Sequence, residues 1–254
     1  AIHHWIDGKL TPGTSGRTAD VYNPATGEVQ AKVDLATRAE IDAAIASAAE
    51  AQVKWGATNP QRRARVMMKM VDLLNRDMDR MAEMLSSEHG KTFPDAKGDI
   101  QRGLEVIEFA IGAPHQLKGE FIDGAGPGID MYSMRQPLGV VAAITPFNFP
   151  AMIPLWKLGP ALASGNAVIL KPSERVPGAA AHLSKLWTEA GLPDGVWSLV
   201  NGDKEIVDAI LEHPAIGAIS FVGSTRVGEY IYQKGTSHNK RVAAYTGGKN
   251  HMIV

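Results

Sequence analysis

From residue 139 onwards, short apolar runs alternate with stretches of helical periodicity. Parallel strands need a crossover connection, so this alternation is typical of a parallel sheet with helices on both faces. We therefore predict an α/β fold, with ligands bound at the carboxyl ends of the strands. The predicted strands are 139–144, 167–170, 196–200, 218–222 and 241–244, and the predicted helices are 151–164, 178–190, 204–211 and 225–234.

The residues before this region predict short strands followed by helices. Thr37 and Glu40 have the spacing of a capping box, which predicts a helix from Thr37 to about residue 55. After Pro60, Met and Leu residues recur at three- and four-residue steps. That single apolar stripe predicts one long helix ending near Gly90.

A third helix is predicted over residues 94–113. Its apolar residues fall on two nearly opposite faces, one of which carries Val106 and Phe109, so we expect it to be covered on both sides. Arg102 lies beside that second face, where a guanidinium either extends to water or binds an anion. Turn residues within 119–135 then predict a β-hairpin.

Composition excludes several classes of protein. The net charge of −1 is spread along the chain, which leaves no basic surface for nucleic acid. No apolar run approaches the roughly 20 residues that span a membrane, and the first residues do not form a signal peptide, so we expect a cytoplasmic protein. The chain has no cysteine, hence no thiol nucleophile, and its eight histidines show no metal-binding spacing.

The loop after the fourth predicted strand is a candidate phosphate site. Gly223 lets the backbone approach a ligand closely, Ser224 offers a hydroxyl, and the helix that follows presents free N–H groups at its start. The alternative is a simple capped turn between strand and helix. The spacing alone leaves both open.

The second predicted strand ends in Lys171, followed by Glu174 and Arg175. Lys171 and Glu174 could together bind a ribose, the ammonium donating to a hydroxyl and the carboxylate accepting from two. Glu174 would repel a 2′-phosphate and favour NAD over NADP, although the two cations soften that preference. The alternative is a solvated charge cluster.

The loop after the first predicted strand places an amide between aromatic residues. Pro146 and Pro150 stiffen the loop, and Asn148 lies between Phe147 and Phe149. An amide N–H₂ held in apolar surroundings could stabilise a developing oxyanion. An Asx turn is the alternative.

These loops, in this order, resemble those of the aldehyde dehydrogenase superfamily over nearly the whole chain. The motifs are Pro-Phe-Asn-Phe-Pro at 146–150, Lys-Pro-Ser-Glu at 171–174, Phe-Val-Gly-Ser-Thr at 221–225 and Gly-Gly-Lys at 247–249. Residues 144–150, 171–177 and 247–251 are similar to the methylmalonate-semialdehyde (malonate-semialdehyde) dehydrogenases. The resemblance implies a Rossmann-like parallel sheet that binds NAD.

The resemblance also implies roles for single residues. Asn148 would donate to the oxyanion, and Arg102 would hold a substrate carboxylate. The residues expected at the cofactor are Thr145, Phe147 and Thr246 near the nicotinamide, Gly223 and Ser224 near the pyrophosphate, and Lys171, Glu174 and Arg175 near the adenosine.

In that family a cysteine thiolate attacks the aldehyde, hydride passes to NAD, and water or CoA releases the acyl group. Hydrolytic members carry a Glu two residues before Gly-Gly-Lys, where this chain has Tyr245. A phenol is a poor base at neutral pH, so the substitution favours release by CoA with loss of CO₂. Tyr245 is nevertheless not the small or apolar residue we would expect there.

The resemblance implies three parts: strands and helices over 1–118, an oligomerisation hairpin over 119–136 and the NAD-binding portion over 137–254. The catalytic domain with its cysteine would lie outside these residues. We expect a homodimer or homotetramer of the complete protein, acting on a small semialdehyde. Two alternatives stay open: a hydrolytic aldehyde dehydrogenase of broad specificity, and a non-catalytic NAD-binding module.

Overall fold

The structure is a computed structural model and describes residues 1–253. Within that range the strands are β1 (His4–Ile6), β2 (Lys9–Thr11), β3 (Thr18–Asn23), β4 (Glu28–Asp34), β5 (Phe121–Gly126), β6 (Ile129–Tyr132), β7 (Val140–Ile144), β8 (Ala167–Lys171), β9 (Trp197–Leu199), β10 (Ile216–Val222) and β11 (Arg241–Tyr245). The helices are α1 (Arg38–Ala57), α2 (Pro60–Arg76), α3 (Met78–His89), α4 (Phe93–Ile111), α5 (Ala113–Gln116), α6 (Met152–Ala163), α7 (Gly178–Glu189), α8 (Lys204–Glu212) and α9 (Thr225–Ser237).

The main sheet has seven strands in the order β11-β10-β7-β8-β9-β1-β2. The five strands from β7 to β11 are parallel, which confirms the α/β prediction. β1 extends this sheet antiparallel to β9, and β2 pairs antiparallel with β1 at the edge. The amino-terminal residues thus share a sheet with the predicted NAD-binding portion, and the three-part division stays a prediction.

Helices cover both faces of the sheet and bury two apolar cores. On one face, α2, α3, α4, α6 and α7 pack against side chains such as Val141 and Leu170. On the other, α1, α8 and α9 pack against Ala142, Ile144 and their neighbours. Successive strand residues point to opposite faces. The uninterrupted apolar runs of β7 and β8 therefore supply both cores.

Helices α4 and α6 approach each other unusually closely at two glycines. A Cβ on Gly103 would lie 2.6 Å from Leu155 Cδ1, and a Cβ on Gly159 would lie 2.3 Å from Ile107 Cδ1. Any larger residue at either position would push the helices apart. The sequence thus fixes the separation of the two helices that flank the Pro146–Pro150 loop.

The prediction of one helix from Pro60 to Gly90 is wrong, because the structure has two helices in this range. α2 ends at Arg76, and Asp77 interrupts the regular backbone before α3 begins. The Asp77 carboxylate binds His182 Nε2 of α7 at 2.7 Å. The apolar stripe continues across the break, so periodicity could not detect it. The capping box of Thr37 and Glu40 is confirmed at the start of α1.

The expectation that α4 is covered on both sides is also wrong for this chain. One face, with Ile100, Leu104 and Ile107, is buried in the core, but Phe109 on the other face is 65% exposed. Within residues 1–253 no element covers that second face. Apolar residues on a helix show that a face can be buried, but not which segment buries it.

The hairpin predicted within residues 119–135 is confirmed as β5 and β6. It projects large apolar side chains into solvent, and none of its β5 or β6 residues is fully buried. The exposed side chains include Phe121, Ile122, Ile129, Met131 and Tyr132. No helix among the described residues is long and apolar enough to cross a membrane.

Candidate functional site

A cleft of about 840 Å³ opens at the carboxyl ends of β7, β8 and β10. β8 lies on one side of β7 and β10 on the other, so the direction in which the chain adds strands reverses at β7. Helices on opposite faces leave a crevice at such a reversal, which is where open α/β sheets bind ligands. The cleft is lined by Ile144, Thr145, Pro146, Phe147, Lys171, Ser173, Glu174, Asp203, Lys204, Val207, Phe221, Val222, Gly223, Ser224, Arg226, Val227, Tyr230 and Ile231.

Thr145 continues directly from β7 at the floor of this cleft. Its backbone N–H donates to the Lys171 carbonyl at 3.1 Å, which extends the pairing of β7 with β8 by one residue. The residue is buried, and its Oγ1 has no hydrogen-bond partner in the structure. A buried hydroxyl without a partner is costly unless a ligand supplies one. Thr145 is therefore poised to bind a polar group in the cleft.

Lys171 and Glu174 form an ion pair in the wall of the cleft. Lys171 Nζ lies 3.3 Å from Glu174 Oε2, and the lysine side chain is only 8% exposed whereas that of the glutamate is 38% exposed. Burial lowers the pKa of Lys171, while the Glu174 carboxylate works in the opposite direction. A buried ammonium next to a half-exposed carboxylate presents a donor and an acceptor on the same wall.

Gly223 and Ser224 form the turn between β10 and α9. A Cβ on Gly223 would lie 2.4 Å from Phe221 Cζ, so the turn has room only for glycine. Ser224 is the N-cap of α9, but its side chain makes no capping hydrogen bond. The hydroxyl and the first N–H groups of a 13-residue helix are therefore free to bind an anion.

Two helices supply cleft residues that sequence reasoning missed. Tyr230 of α9 bonds to Asp208 of α8, and its hydroxyl also accepts from Lys204 at 3.1 Å. Asp203 and Arg226 line the same cleft. Asp203 is the N-cap of α8, and Arg226 directly follows the loop at Ser224. Lys204 and Tyr230 belong to no loop motif, and they line the cleft because α8 and α9 pack side by side. The position of α8 directly after β9 was the signal available.

Four predicted site residues lie outside the lining of this cleft. Arg175 is exposed and its guanidinium lies 5.7 Å from the centre of the Phe147 ring. Thr246 follows β11, where its methyl group would clash with any Cβ on Gly228. Asn148 is exposed in the loop before α6, and Arg102 is exposed on α4. Phe147 is shared between the cleft and its neighbour.

The neighbouring cleft, of about 680 Å³, begins on the far side of Phe147. Its wall includes Glu88 at the end of α3, which accepts from the N–H of Gly178 at the start of α7 at 2.9 Å. Burial raises the pKa of Glu88 to about 7, against the opposing effect of that hydrogen bond. The carboxyl is thus held partly protonated near neutral pH.

The backbones of Arg102 and Asn148 each accept a hydrogen bond from a side chain of another element. The indole N–H of Trp156 on α6 donates to the Arg102 carbonyl at 2.9 Å. The Asn148 carbonyl accepts from Lys91 Nζ at 3.0 Å. Neither contact involves the side chain of Asn148 or Arg102, so both remain able to bind a ligand. Within residues 1–253 no cluster of acidic or histidine side chains could hold a metal ion.

The model of the aldehyde dehydrogenase family matches residues 10–254 of this chain. The chain belongs to the aldehyde dehydrogenase family. The fold class predicted from the resemblance is confirmed by solved structures, because the crystal structure of the methylmalonate-semialdehyde dehydrogenase from Oceanimonas doudoroffii superposes with a TM-score of 0.97 at 48% identity. That match covers 98% of this chain and 51% of the other.

Other members of the aldehyde dehydrogenase family are similarly close. The malonate-semialdehyde dehydrogenase of Pseudomonas aeruginosa is 49% identical over 100% of this chain and 51% of that protein. A crystal structure from Sinorhizobium meliloti, assigned as a methylmalonate-semialdehyde dehydrogenase and complexed with NAD, is 61% identical with a TM-score of 0.97. It covers 98% of this chain and 51% of that one. The chain spans about half the length of the relatives it matches.

Tyr245, the last residue of β11, contacts a lysine. Lys157 Nζ of α6 lies 3.6 Å from the centre of the Tyr245 ring. Burial lowers the pKa of Lys157. An ammonium over an aromatic face is stabilised by the ring quadrupole. Tyr245 is 57% exposed, so Lys157 contacts one face of an otherwise open side chain.

Proposed function

We propose that the protein containing this chain oxidises malonate or methylmalonate semialdehyde with NAD, transfers the acyl group to CoA and releases CO₂. The observation that carries the proposal is the cleft at the β7 reversal, where Thr145, Lys171, Glu174 and Ser224 converge as the resemblance implies. The names of the similar proteins support the substrate class.

The cleft fits NAD in three respects. Glu174 can accept from two ribose hydroxyls while Lys171 donates to one. Gly223 lets the backbone come close to a pyrophosphate, and Ser224 adds a free hydroxyl at the start of α9. Thr145 has an unpaired buried hydroxyl at the floor, towards the nicotinamide in this proposal. When bound there, NAD supplies the hydride acceptor.

The substrate would be bound on the side of the cleft where Asn148 and Arg102 lie. Both side chains are exposed and uncommitted in the described residues, one on the loop before α6 and the other on α4. In the proposal the Asn148 amide donates to the oxygen that gains charge when a nucleophile attacks the aldehyde carbon. The Arg102 guanidinium binds the carboxylate at the other end of the substrate.

The reaction balances with three reactants. Malonate semialdehyde, CoA and NAD⁺ give acetyl-CoA, CO₂ and NADH, because the aldehyde carbon loses a hydride and the neighbouring carbon takes a proton in place of CO₂. The chain has no cysteine, so the thiol nucleophile must come from other residues of the protein. Tyr245 in place of a carboxylate base supports acyl release by CoA and not by water.

The exposed apolar side chains of β5 and β6 support a homodimer or homotetramer of the complete protein. An unpaired strand edge with Phe121, Met131 and Tyr132 in solvent is a ready surface for pairing with another segment. Size-exclusion chromatography with light scattering tests this part. A monomeric complete protein at micromolar concentration would contradict the proposed oligomer.

The decisive experiment follows NADH formation by the protein expressed from its complete reading frame. We expect rapid turnover of malonate semialdehyde with CoA, and much slower turnover without it. Equal rates with and without CoA would support a hydrolytic aldehyde dehydrogenase. Equal rates with malonate semialdehyde and with uncharged aldehydes would contradict the proposed recognition of a substrate carboxylate. No NADH formation, together with tight NAD binding, would leave a non-catalytic NAD-binding module.

A further inference from the structure

The Asn148 amide lies on an exposed loop. A buried ion pair, formed by Lys91 and Asp99, makes hydrogen bonds to the backbone of that loop. We infer that Lys91 and Asp99 are positioning residues, which hold the backbone of residues 148–152 and thereby aim the Asn148 amide. The inference rests on the proposed role of Asn148. Neither Lys91 nor Asp99 belongs to a loop motif of the sequence.

Lys91 lies between α3 and α4 and points beneath the loop. Its Nζ is 3.0 Å from Asp99 Oδ2 and 3.0 Å from the Asn148 carbonyl oxygen. The same ammonium lies 4.6 Å from the centre of the Phe149 ring. The Lys91 side chain is only 5% exposed. One buried cation therefore contacts the two consecutive residues 148 and 149.

Asp99 fixes the other end of the same segment. This residue of α4 is completely buried, and its Oδ1 accepts from the Met152 N–H at 2.7 Å. Met152 begins α6, whose N-cap, Ala151, has no side chain able to cap it. A carboxylate at a helix start pairs with a free N–H and with the positive end of the helix dipole. Asp99 therefore caps α6 from a different helix.

Hydrogen bonds at three points hold the backbone of the loop. It is held at its start by the Thr145 N–H to Lys171, in the middle by Lys91, and at its end by Asp99. An oxyanion donor is effective only if it is already in place when charge develops. A backbone shift of about 1 Å would cost a large part of its effect.

The ion pair is a costly way to stabilise a fold, which favours a functional reason for its presence. Burying two charges costs several kcal/mol, and apolar replacements of similar volume are often as stable. The surrounding core of α4 and α6 is apolar and closely packed. Three of the four contacts of this pair nevertheless reach one loop, through the Asn148 carbonyl, the Phe149 ring and the Met152 N–H.

The test uses the complete protein and compares the first turnover of malonate semialdehyde with NAD binding. Lys91→Met removes the tether to Asn148. Because that variant leaves the buried Asp99 carboxylate without a counter-charge, the double variant Lys91→Met with Asp99→Asn is tested beside it. The amide oxygen of Asn can still accept from the Met152 N–H. Lys97→Met is the matched control, since Lys97 on α4 pairs with Asp79 at the surface.

We expect the double variant to lower the rate of NADH formation about tenfold, whereas the Kd for NAD and the melting temperature change little. Asn148→Ala is expected to lower the rate about 10²–10³-fold. Combining all three substitutions should then be no slower than Asn148→Ala alone, because a positioning residue has nothing left to position.

Two failures are distinguishable. Suppose that Asn148→Ala slows the reaction. If the double variant then has the wild-type rate, or if it slows the Asn148→Ala enzyme by a further factor, the positioning inference is overturned. The role of Asn148 stands in either case. If Asn148→Ala has the wild-type rate, the role of Asn148 in the proposed function fails, and the inference fails with it.

Discussion

Lys171 Nζ lies 3.3 Å from Glu174 Oε2, so the ammonium that is buried in the cleft wall also orients the carboxylate at its rim. The Glu174 carboxylate opposes the lowering of the Lys171 pKa that burial causes. The pair also explains how Glu174 can be held towards a ribose although more than a third of its side chain is exposed. The two residues act as one binding unit.

Glu174→Ala is accordingly expected to weaken NAD binding about tenfold, which corresponds to about 1.4 kcal/mol for hydrogen bonds to a charged group. Titration of NAD against protein fluorescence measures the Kd. Glu50→Ala, at an exposed position of α1, is the control. An unchanged Kd for Glu174→Ala would remove this residue from the cofactor site.

Arg102→Ala should raise the KM for malonate semialdehyde by 10- to 100-fold, because a charged hydrogen-bonded pair contributes about 1.5–3 kcal/mol. The KM for an uncharged aldehyde of similar size should not change. Arg65→Ala, an exposed arginine of α2, controls for loss of a surface charge. A parallel rise in KM for both aldehydes would argue against carboxylate recognition by Arg102.

Glu88→Gln is expected to abolish a pH dependence of stability. The pKa of Glu88 is raised from the usual 4.5 to about 7, so the folded state binds the proton more tightly than the unfolded state does. Its contribution is present below about pH 4.5 and is lost as the pH rises through 7. Glu88→Gln keeps an oxygen that can accept from Gly178.

The melting temperatures of wild type and Glu88→Gln should therefore diverge between pH 5 and pH 8, by an amount equivalent to about 2 kcal/mol in favour of the variant. Differential scanning fluorimetry measures the difference. Glu83→Gln, at an exposed position of the same helix, should run parallel to wild type. A constant offset between wild type and Glu88→Gln across this range would contradict the raised pKa.

Tyr245→Phe should retain the CoA-dependent rate within about twofold, because the face of the ring, and not the hydroxyl, contacts Lys157. Tyr245→Ala should lower the melting temperature by a few degrees through loss of a cation–π contact worth about 0.5–2 kcal/mol. Steady-state rates with CoA and melting curves measure the two effects. A large loss of rate in Tyr245→Phe would instead give the phenol hydroxyl a chemical role.

The sequence predicted the strands and helices of the main sheet to within a few residues at most ends. Short uninterrupted apolar runs such as 140–144, alternating with helical stretches, are typical of central parallel strands. The loops that follow them were also predictable as the site, because parallel strands place their carboxyl ends together. Thr145, Lys171, Glu174 and Ser224 line one cleft for that reason.

Other features depended on which elements meet in three dimensions. At the helix break, Asp77 contacts His182 of α7, and the cleft role of Tyr230 depends on α8 lying beside α9. Lys91 and Asp99 contact a loop about 50 residues further along the chain. Hydrophobic periodicity shows which face of an element is buried, but the role of a polar side chain depends on the group that it contacts in the folded protein. By itself the sequence determined the parallel strands, most of the helices and the loops at the edge of the sheet, because apolar periodicity is local. Only the tertiary structure decided the polar contacts that orient the site, because these join residues far apart in the chain.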